Sequence, residues 1–383
     1  MAQTKDKELI LQTLGTLESV TVKPDELQCF VGFDGFVDEI IHVVDKRVDF
    51  ETYTRVETIG ELAERIGRAA GLSTNIELIP KQMKLGGNGP IMANALNSFG
   101  VNVTYVGCLG HPDIHPVFRE LADACETYSI CDPGHTDALE FTDGKLMLGK
   151  IEILKEVNWE NITSQLPLDK MVEVFSRSHL VSMVNWTMIP YMNDIWEKLQ
   201  SEVLPKVKMT NRPLAFFDLA DPEKRSTEDI AGAMEMIQRF EQYYRVILGL
   251  NRKEASAIAT VLGLELGDRP ELVTLEEVTR AIADELGIYC VVVHPVTEAG
   301  TVVNGEFFHI NGPYTANPRL TTGAGDNFNA GFCLGQVLGL PPQECLITGT
   351  GTSGFYVRNM RSPEPTELMS FLELWSENVG CDF

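Results

Sequence analysis

The segment Thr321-Thr322-Gly323-Ala324-Gly325-Asp326-Asn327-Phe328 sets two glycines and an aspartate directly before an apolar helical run, FNAGFCLGQVLG. Free N–H groups at a helix start attract anions, and glycines let the backbone close on a ligand. A carboxylate there repels such an anion unless it has a task, such as accepting a proton; otherwise Asp326 only caps the helix. The segment Leu85-Gly86-Gly87-Asn88-Gly89-Pro90 repeats the plan before IMANALNSFG. Pro90 suits a first helical turn, and Asn88 offers a polyhydroxylated ligand both a donor and an acceptor; the same residues also make a tight strand-to-helix turn. Asn251-Arg252-Lys253-Glu254 follows the apolar run YRVILGL. Its spacing is that of a capping box, or of two polar side chains holding a hydrated Mg²⁺ and its phosphates. Asp34-Gly35-Phe36-Val37-Asp38 follows QCFVGF, and its carboxylates either accept from sugar hydroxyls or shape a turn.

Other patterns lead nowhere. Gly144 to Lys150 fits G-x-x-x-x-G-K, but Ile151 stands where a phosphate loop needs Ser or Thr. Gly349 to Gly354 fits G-x-G-x-x-G without a preceding strand, which suits close helix packing better than a dinucleotide. His111 and His115 are four apart, but Pro112 and Pro116 break the helix face two metal ligands would share.

Residues at strand ends need strands to hold them. The runs 28–33, 102–107, 179–184, 214–219, 244–250 and 288–294 are short, apolar and rich in Val and Ile, with amphipathic stretches at 190–204, 226–241, 251–262 and 274–286. This alternation predicts an α/β fold with a parallel sheet, helices on both faces, and ligands beyond the carboxyl ends of the strands. Residues 39–57 and 137–151 alternate apolar and polar, with a turn at Asp143-Gly144. Both read as antiparallel strands exposed on one face, either paired as a small accessory sheet or added to the main sheet. The stretch 325–378 is helical, and no repeat or linker divides the chain, which favours a single domain over residues 1–383 with an inserted lid.

Composition narrows the partners. With Lys+Arg 31 against Asp+Glu 55 the formal charge is −24, so neither nucleic acid nor a membrane surface is expected. A phosphate would have to be met locally by backbone N–H groups or a metal. The start MAQTKDKELI is charged where a signal peptide is apolar, no run approaches ~18 apolar residues, and the eight cysteines lack a C-x-x-C pair. A cytoplasmic protein with free thiols is the expectation.

In order and spacing, acidic residues after an early strand, GGN before a helix, N-x-x-E, and TGAGD before a helix resemble the ribokinase-like (PfkB) carbohydrate kinases over about residues 28–360. The resemblance implies a three-layer α/β/α fold with a mainly parallel central sheet and a small β-sheet lid from about 39–57 and 137–151. It implies Asp326 as general base, and the N–H groups of Gly323, Ala324 and Gly325 as an anion hole for the transferring γ-phosphoryl group. Asn251 and Glu254 would organise Mg²⁺ and phosphates through water. Asn88, the Gly86-Gly87 backbone and Asp38, with Asp34 as neighbour or substitute, would hold sugar hydroxyls. The 349–354 glycines, Gly351 among them, would line the adenine pocket. ATP, Mg²⁺ and a sugar or sugar-like molecule with a hydroxymethyl acceptor are the implied ligands, and a homodimer through the lid the implied assembly.

Several positions depart from that pattern. Leu320 stands where an Asp usually helps hold a monovalent cation, which argues against such activation. Pro90 and Ile91 occupy the place of a second Asn, and His294-Pro295 that of a small turn near the nucleotide. Residues 58–83 read as an insertion between lid and GGN. Two rival readings are a nucleoside kinase of the same family and a non-catalytic sugar sensor; Asp326 together with Asn251 and Glu254 argues against the sensor.

Overall fold

The alternation of apolar side chains along the central strands sends them to two separate cores. The structure, a computed structural model, describes residues 2–209, 212–264 and 273–383. Its strands are β1 (Gln28–Gly32), β2 (Phe36–Arg47), β3 (Tyr53–Arg55), β4 (Leu78–Gly86), β5 (Asn102–Gly107), β6 (Glu126–Ser129), β7 (Gly134–Glu140), β8 (Lys145–Lys150), β9 (Leu180–Val184), β10 (Leu214–Asp218), β11 (Arg245–Leu250), β12 (Cys290–Val293), β13 (Glu298–Val303) and β14 (Glu306–Asn311). Ala215 and Phe217 of β10 face one core, with Trp196, Phe240 and Ile258. Leu214 and Phe216 face the other, with Met92, Phe332 and Leu372. Helices therefore cover both faces, giving the expected three-layer α/β fold.

The large sheet runs β14-β13-β12-β11-β10-β9-β1-β5-β6. Every pairing from β6 to β12 is parallel, while β13 and β14 form an antiparallel hairpin at one edge. From β1 the chain first builds outward through β5 and β6, then returns to β9 on the other side. That reversal opens a crevice at the carboxyl ends of β1 and β9.

Residues 39–57 and 137–151 are not edge strands of this sheet. They fall in a second sheet of five strands, β3-β2-β7-β8 with β4 also paired to β2. The two segments meet in parallel, Asp38 opposite Thr136, where antiparallel strands were expected. The reason is their origin: β2 continues β1 and β7 continues β6, so both leave the same end of the large sheet in the same direction. Antiparallel pairing is confined to β2 with β3 and β4, and to β7 with β8. The 58–83 stretch has regular structure of its own. It contains the helix Ile59–Arg68, closed by a Thr58–Glu61 capping box, and ends inside β4, whose pairing carries Gly86 to a place opposite Phe36.

None of the eight cysteines is in a disulfide. Among the described residues no helix is long and apolar enough to cross a membrane.

The helix Ala324–Val337, which carries Asp326, is fixed by the helix Pro342–Asn359 lying against it. A Cβ at Gly331 would come within 2.4 Å of Thr352 Oγ1 and 2.6 Å of the Thr348 carbonyl oxygen. Gly331→Ala should therefore push the two helices apart and destabilise the fold by about 1–3 kcal/mol. A thermal melt of the variant matching wild type would show that this contact does not fix the helix.

Candidate active site

Asp34, just past β1, is fully buried at 0% exposure. Its Oδ1 accepts from the Gly89 N–H at 2.8 Å, and its Oδ2 from the Asn88 N–H at 3.0 Å and from Asn185 Nδ2 at 2.6 Å. The carboxylate thus answers the free amides and positive end of the helix Asn88–Ser98. Burial raises its pKa to about 6, while Asn185 and the two amides work against that rise. With both of its carboxylate oxygens held by these donors, Asp34 positions Asn88.

The GGN glycines are required by what lies beside them. A Cβ at Gly86 would fall 2.5 Å from the Asp38 carboxyl carbon. Gly87 has φ 94°, and a Cβ there would lie 2.9 Å from Asp34 Oδ2. With that space left open, Asp38 lines a cavity of about 540 Å³ together with Gly87, Asn88, Thr136, Asn185 and Asp326. Burial raises the Asp38 pKa, and Thr136 and His135 lower it.

The two glycine motifs meet directly, Asn88 Nδ2 donating to Asp326 Oδ1 at 2.8 Å. Asp326 is 8% exposed in the first turn of its helix. Burial pushes its pKa up to about 8; the Asn88 bond opposes the rise, and the charges of Asp34 and Glu254 add to it. Tyr356 Oη donates to the Thr322 carbonyl at 2.8 Å, clamping the approach to the turn. The Ala324 N–H donates to Thr321 O at 3.1 Å, whereas the amides of Gly323 and Gly325 have no acceptor among the described residues. Thr322, Gly323 and Asp326 border the first cavity. Thr321, Ala324 and Gly325 border a second, of about 390 Å³, with Asn251, His294 and Gly354. The turn is thus the partition between two chambers.

Asn251 and Glu254 form the capping box. Asn251 Oδ1 accepts from the Glu254 N–H at 2.9 Å, and Glu254 Oε2 accepts from the Asn251 N–H at 2.8 Å. Glu254 Oε1 also accepts from the Asp221 N–H at 2.9 Å. Burial raises the pKa of Glu254, and burial together with the charges of Glu254 and Asp326 raises that of Asp218. Such a buried negative cluster is what a hard divalent cation would relieve, so the oxygen donors here suit Mg²⁺.

Gly351 does not border this second cavity. A Cβ there would meet Leu372 at 2.7 Å and Leu368 at 3.2 Å, so it packs against the helix Pro365–Glu377; Thr350, Ser353 and Gly354 line the second cavity instead. Asn185 and Asp218 were missed. Asn185 holds φ 60° and a buried Oδ1 without a partner; Asp218 accepts from Asn329 Nδ2 at 2.8 Å. Each lies at the end of an expected strand, the one signal that could have marked it.

Solved structures share this architecture. Arabidopsis thaliana ribokinase aligns with a TM-score of 0.63 at 17% identity, covering 92% of this chain and 99% of that one. Escherichia coli phosphofructokinase-2 aligns at 0.61 and 13% identity, over 93% and 100%. Methanocaldococcus jannaschii nucleoside kinase aligns at 0.59 and 14%, over 91% and 98%. The fold is that of the ribokinase-like (PfkB) kinases. More narrowly, a family model described as prokaryotic ketohexokinase matches residues 12–375, and a ketohexokinase of Haloferax volcanii is 32% identical over 371 residues, 96% of this chain and 97% of the relative. The chain belongs to the prokaryotic ketohexokinase family and is a carbohydrate kinase.

Asp326 has a consequence for stability that can be measured. Between its ordinary pKa of 3.8 and about 8, the folded chain keeps a proton that the unfolded chain releases, so this group lowers stability as pH rises through that window. Asp326→Asn keeps the Asn88 bond and removes the titration. Without Mg²⁺ or nucleotide, the variant should melt above wild type, by a margin that widens from pH 5 to 8 and then levels. A margin that is constant or shrinks would contradict the raised pKa.

Proposed function

We propose that the chain transfers the γ-phosphoryl group of ATP to a hydroxymethyl group of a ketohexose. What carries this reading is the position of Asp326 at the partition between the two cavities, its carboxylate on the side shared with Asp38, Asn88 and Asn185. The sugar would occupy the larger cavity, with hydroxyls on Asp38 and Asn88 and against the Gly86-Gly87 backbone. The nucleotide would occupy the smaller. Kinship with a ketohexokinase supports the choice of sugar.

In this reading Asp326 takes the proton of the acceptor hydroxyl as that oxygen bonds to the γ-phosphorus. The bond to the β–γ bridging oxygen breaks, ADP leaves, and Asp326 returns the proton to solvent. The Asn88 bond keeps the carboxylate oxygen turned to the acceptor. Charge developing on the phosphoryl oxygens falls to the amides of Gly323 and Gly325, with Ala324 beside them. Mg²⁺, held near Asn251 and Glu254 through water, would neutralise phosphate charge on a chain that is otherwise strongly acidic. The small sheet, carrying Asp38, Thr136 and Met147 over the sugar cavity, serves as a lid that keeps water from competing as acceptor.

Asp326→Asn should lower kcat by about 10²–10⁴ while leaving sugar affinity within a few-fold by calorimetry. Turnover that survives the substitution would sink the general-base role. Ketohexoses, aldoses and nucleosides assayed with ATP and Mg²⁺ test the substrate. Ketohexoses are expected to give the highest kcat/KM, and faster phosphorylation of nucleosides would overturn the assignment.

A further inference from the structure

The 540 Å³ cavity takes one face of the small sheet, and the opposite face carries charge that the reaction does not use. Side chains alternate along a strand, so Glu39 on β2 and His135 and Asp137 on β7 point away from the side held by Asp38 and Thr136. Glu39 and Asp137 stand directly opposite each other where β2 pairs with β7. Met83 continues that row on β4 and Leu148 on β8. Like charges so placed repel, and these apolar neighbours offer no compensation. Both acids are largely shielded, their side chains 15% and 17% exposed. His135 Nε2 lies 3.5 Å from Glu39 Oε2 and 3.0 Å from Asp137 Oδ1. A donor atom from each of the three residues falls within 4.8 Å of the other two. One ammonium reaches the cluster, that of Lys150, 2.7 Å from Asp137 Oδ1. Among the described residues Glu39 has no ion-pair partner besides His135.

We propose that Glu39, His135 and Asp137 bind a first-row divalent metal ion, Zn²⁺ by preference, on the face of the small sheet turned away from the cavity. Ligands about 2.1 Å from a tetrahedral Zn²⁺ lie roughly 3.4 Å from one another. The two separations from His135 Nε2 are already close to that, and the strand pairing holds the three residues in place. The ion supplies the positive charge that the facing carboxylates lack. An imidazole among the ligands favours a transition metal over Mg²⁺. It coordinates through Nε2 with its proton on Nδ1, and water completes the shell. Lys150, whose side chain is 63% exposed, swings into solvent as the ion enters. This ion ties β2 to β7 and is separate from the Mg²⁺ proposed near Asn251 and Glu254 on the large sheet.

Calorimetric titration with Zn²⁺, with Mg²⁺ in excess to fill sites built of oxygen alone, tests this in wild type, H135A, E39Q and K150M. Wild type should take up one Zn²⁺ that H135A and E39Q bind on the order of tenfold to a hundredfold more weakly. Either variant serves if a melt without zinc shows the other misfolded. K150M removes the competing ammonium and should tighten binding. Zn²⁺ should raise the melting temperature of wild type and leave that of H135A unchanged. Co²⁺ in place of Zn²⁺ should give visible ligand-field bands without a thiolate charge-transfer band. Binding that H135A and E39Q both retain, or a thiolate band, would put the ion elsewhere and overturn the inference. Wild type that binds no Zn²⁺, or K150M that binds it more weakly, would overturn it too and leave the cluster an ion-pair network with Lys150.

Discussion

One buried carboxylate ties together the parts of the chain that make the site. Asp34 takes hydrogen bonds from the Asn88 and Gly89 amides and from Asn185, while its own carbonyl accepts from Tyr105 Oη at 2.6 Å. These partners come from the turn after β4, the end of β9 and the middle of β5. Through them the end of β1, the start of the helix Asn88–Ser98 and the crevice at the sheet reversal hold fixed positions. Asn88 is thereby placed to reach Asp326, far along the sequence. Charge–dipole attraction at the helix start offsets the desolvation of Asp34, which explains how an acid with no exposure is retained there.

The same placement makes the site electrostatically tense. Asp34, Asp218, Glu254 and Asp326 all have pKa values raised chiefly by burial, and several press on one another. The formal charge of −24 counts the whole chain, and these four acids are a buried part of it. Amides at helix starts supply the local positive field that the side chains do not. The mismatch between an acidic interior and a nucleotide's phosphates supports the divalent cation proposed for the site.

Much of this was legible in the sequence because it is local. Strands such as 102–107 and 214–218 show as apolar runs, and the turns before Asn88 and Asp326 show as glycines preceding helices. What could not be read depends on convergence over distance. The role of Asp34 rests on Gly89, 55 residues away, and Asn185, 151 away. Gly351 belongs to a pattern that means nucleotide or helix packing according to which way one helix faces. β4 was missed because it is largely exposed and includes Pro80, so it has no apolar face to betray it. The direction in which 36–41 meets 134–139 follows from which sheet end the strands leave, a property of topology instead of composition.

The small sheet has two faces with separate duties. Asp38, Thr136, Met147 and Gly149 line the larger cavity, while Ile41, Val43, Leu139 and Phe141 pack with Leu62 in a core of their own. Because successive side chains along a strand alternate sides, neighbouring residues on the same strand answer to different selective pressures. Positions on the cavity side can drift, and with them the molecules accepted, without loosening the packing behind. With the sugar in that cavity as proposed, a family built on this arrangement can diversify its diet by changing alternate letters of three strands, leaving the machinery of the large sheet as inherited.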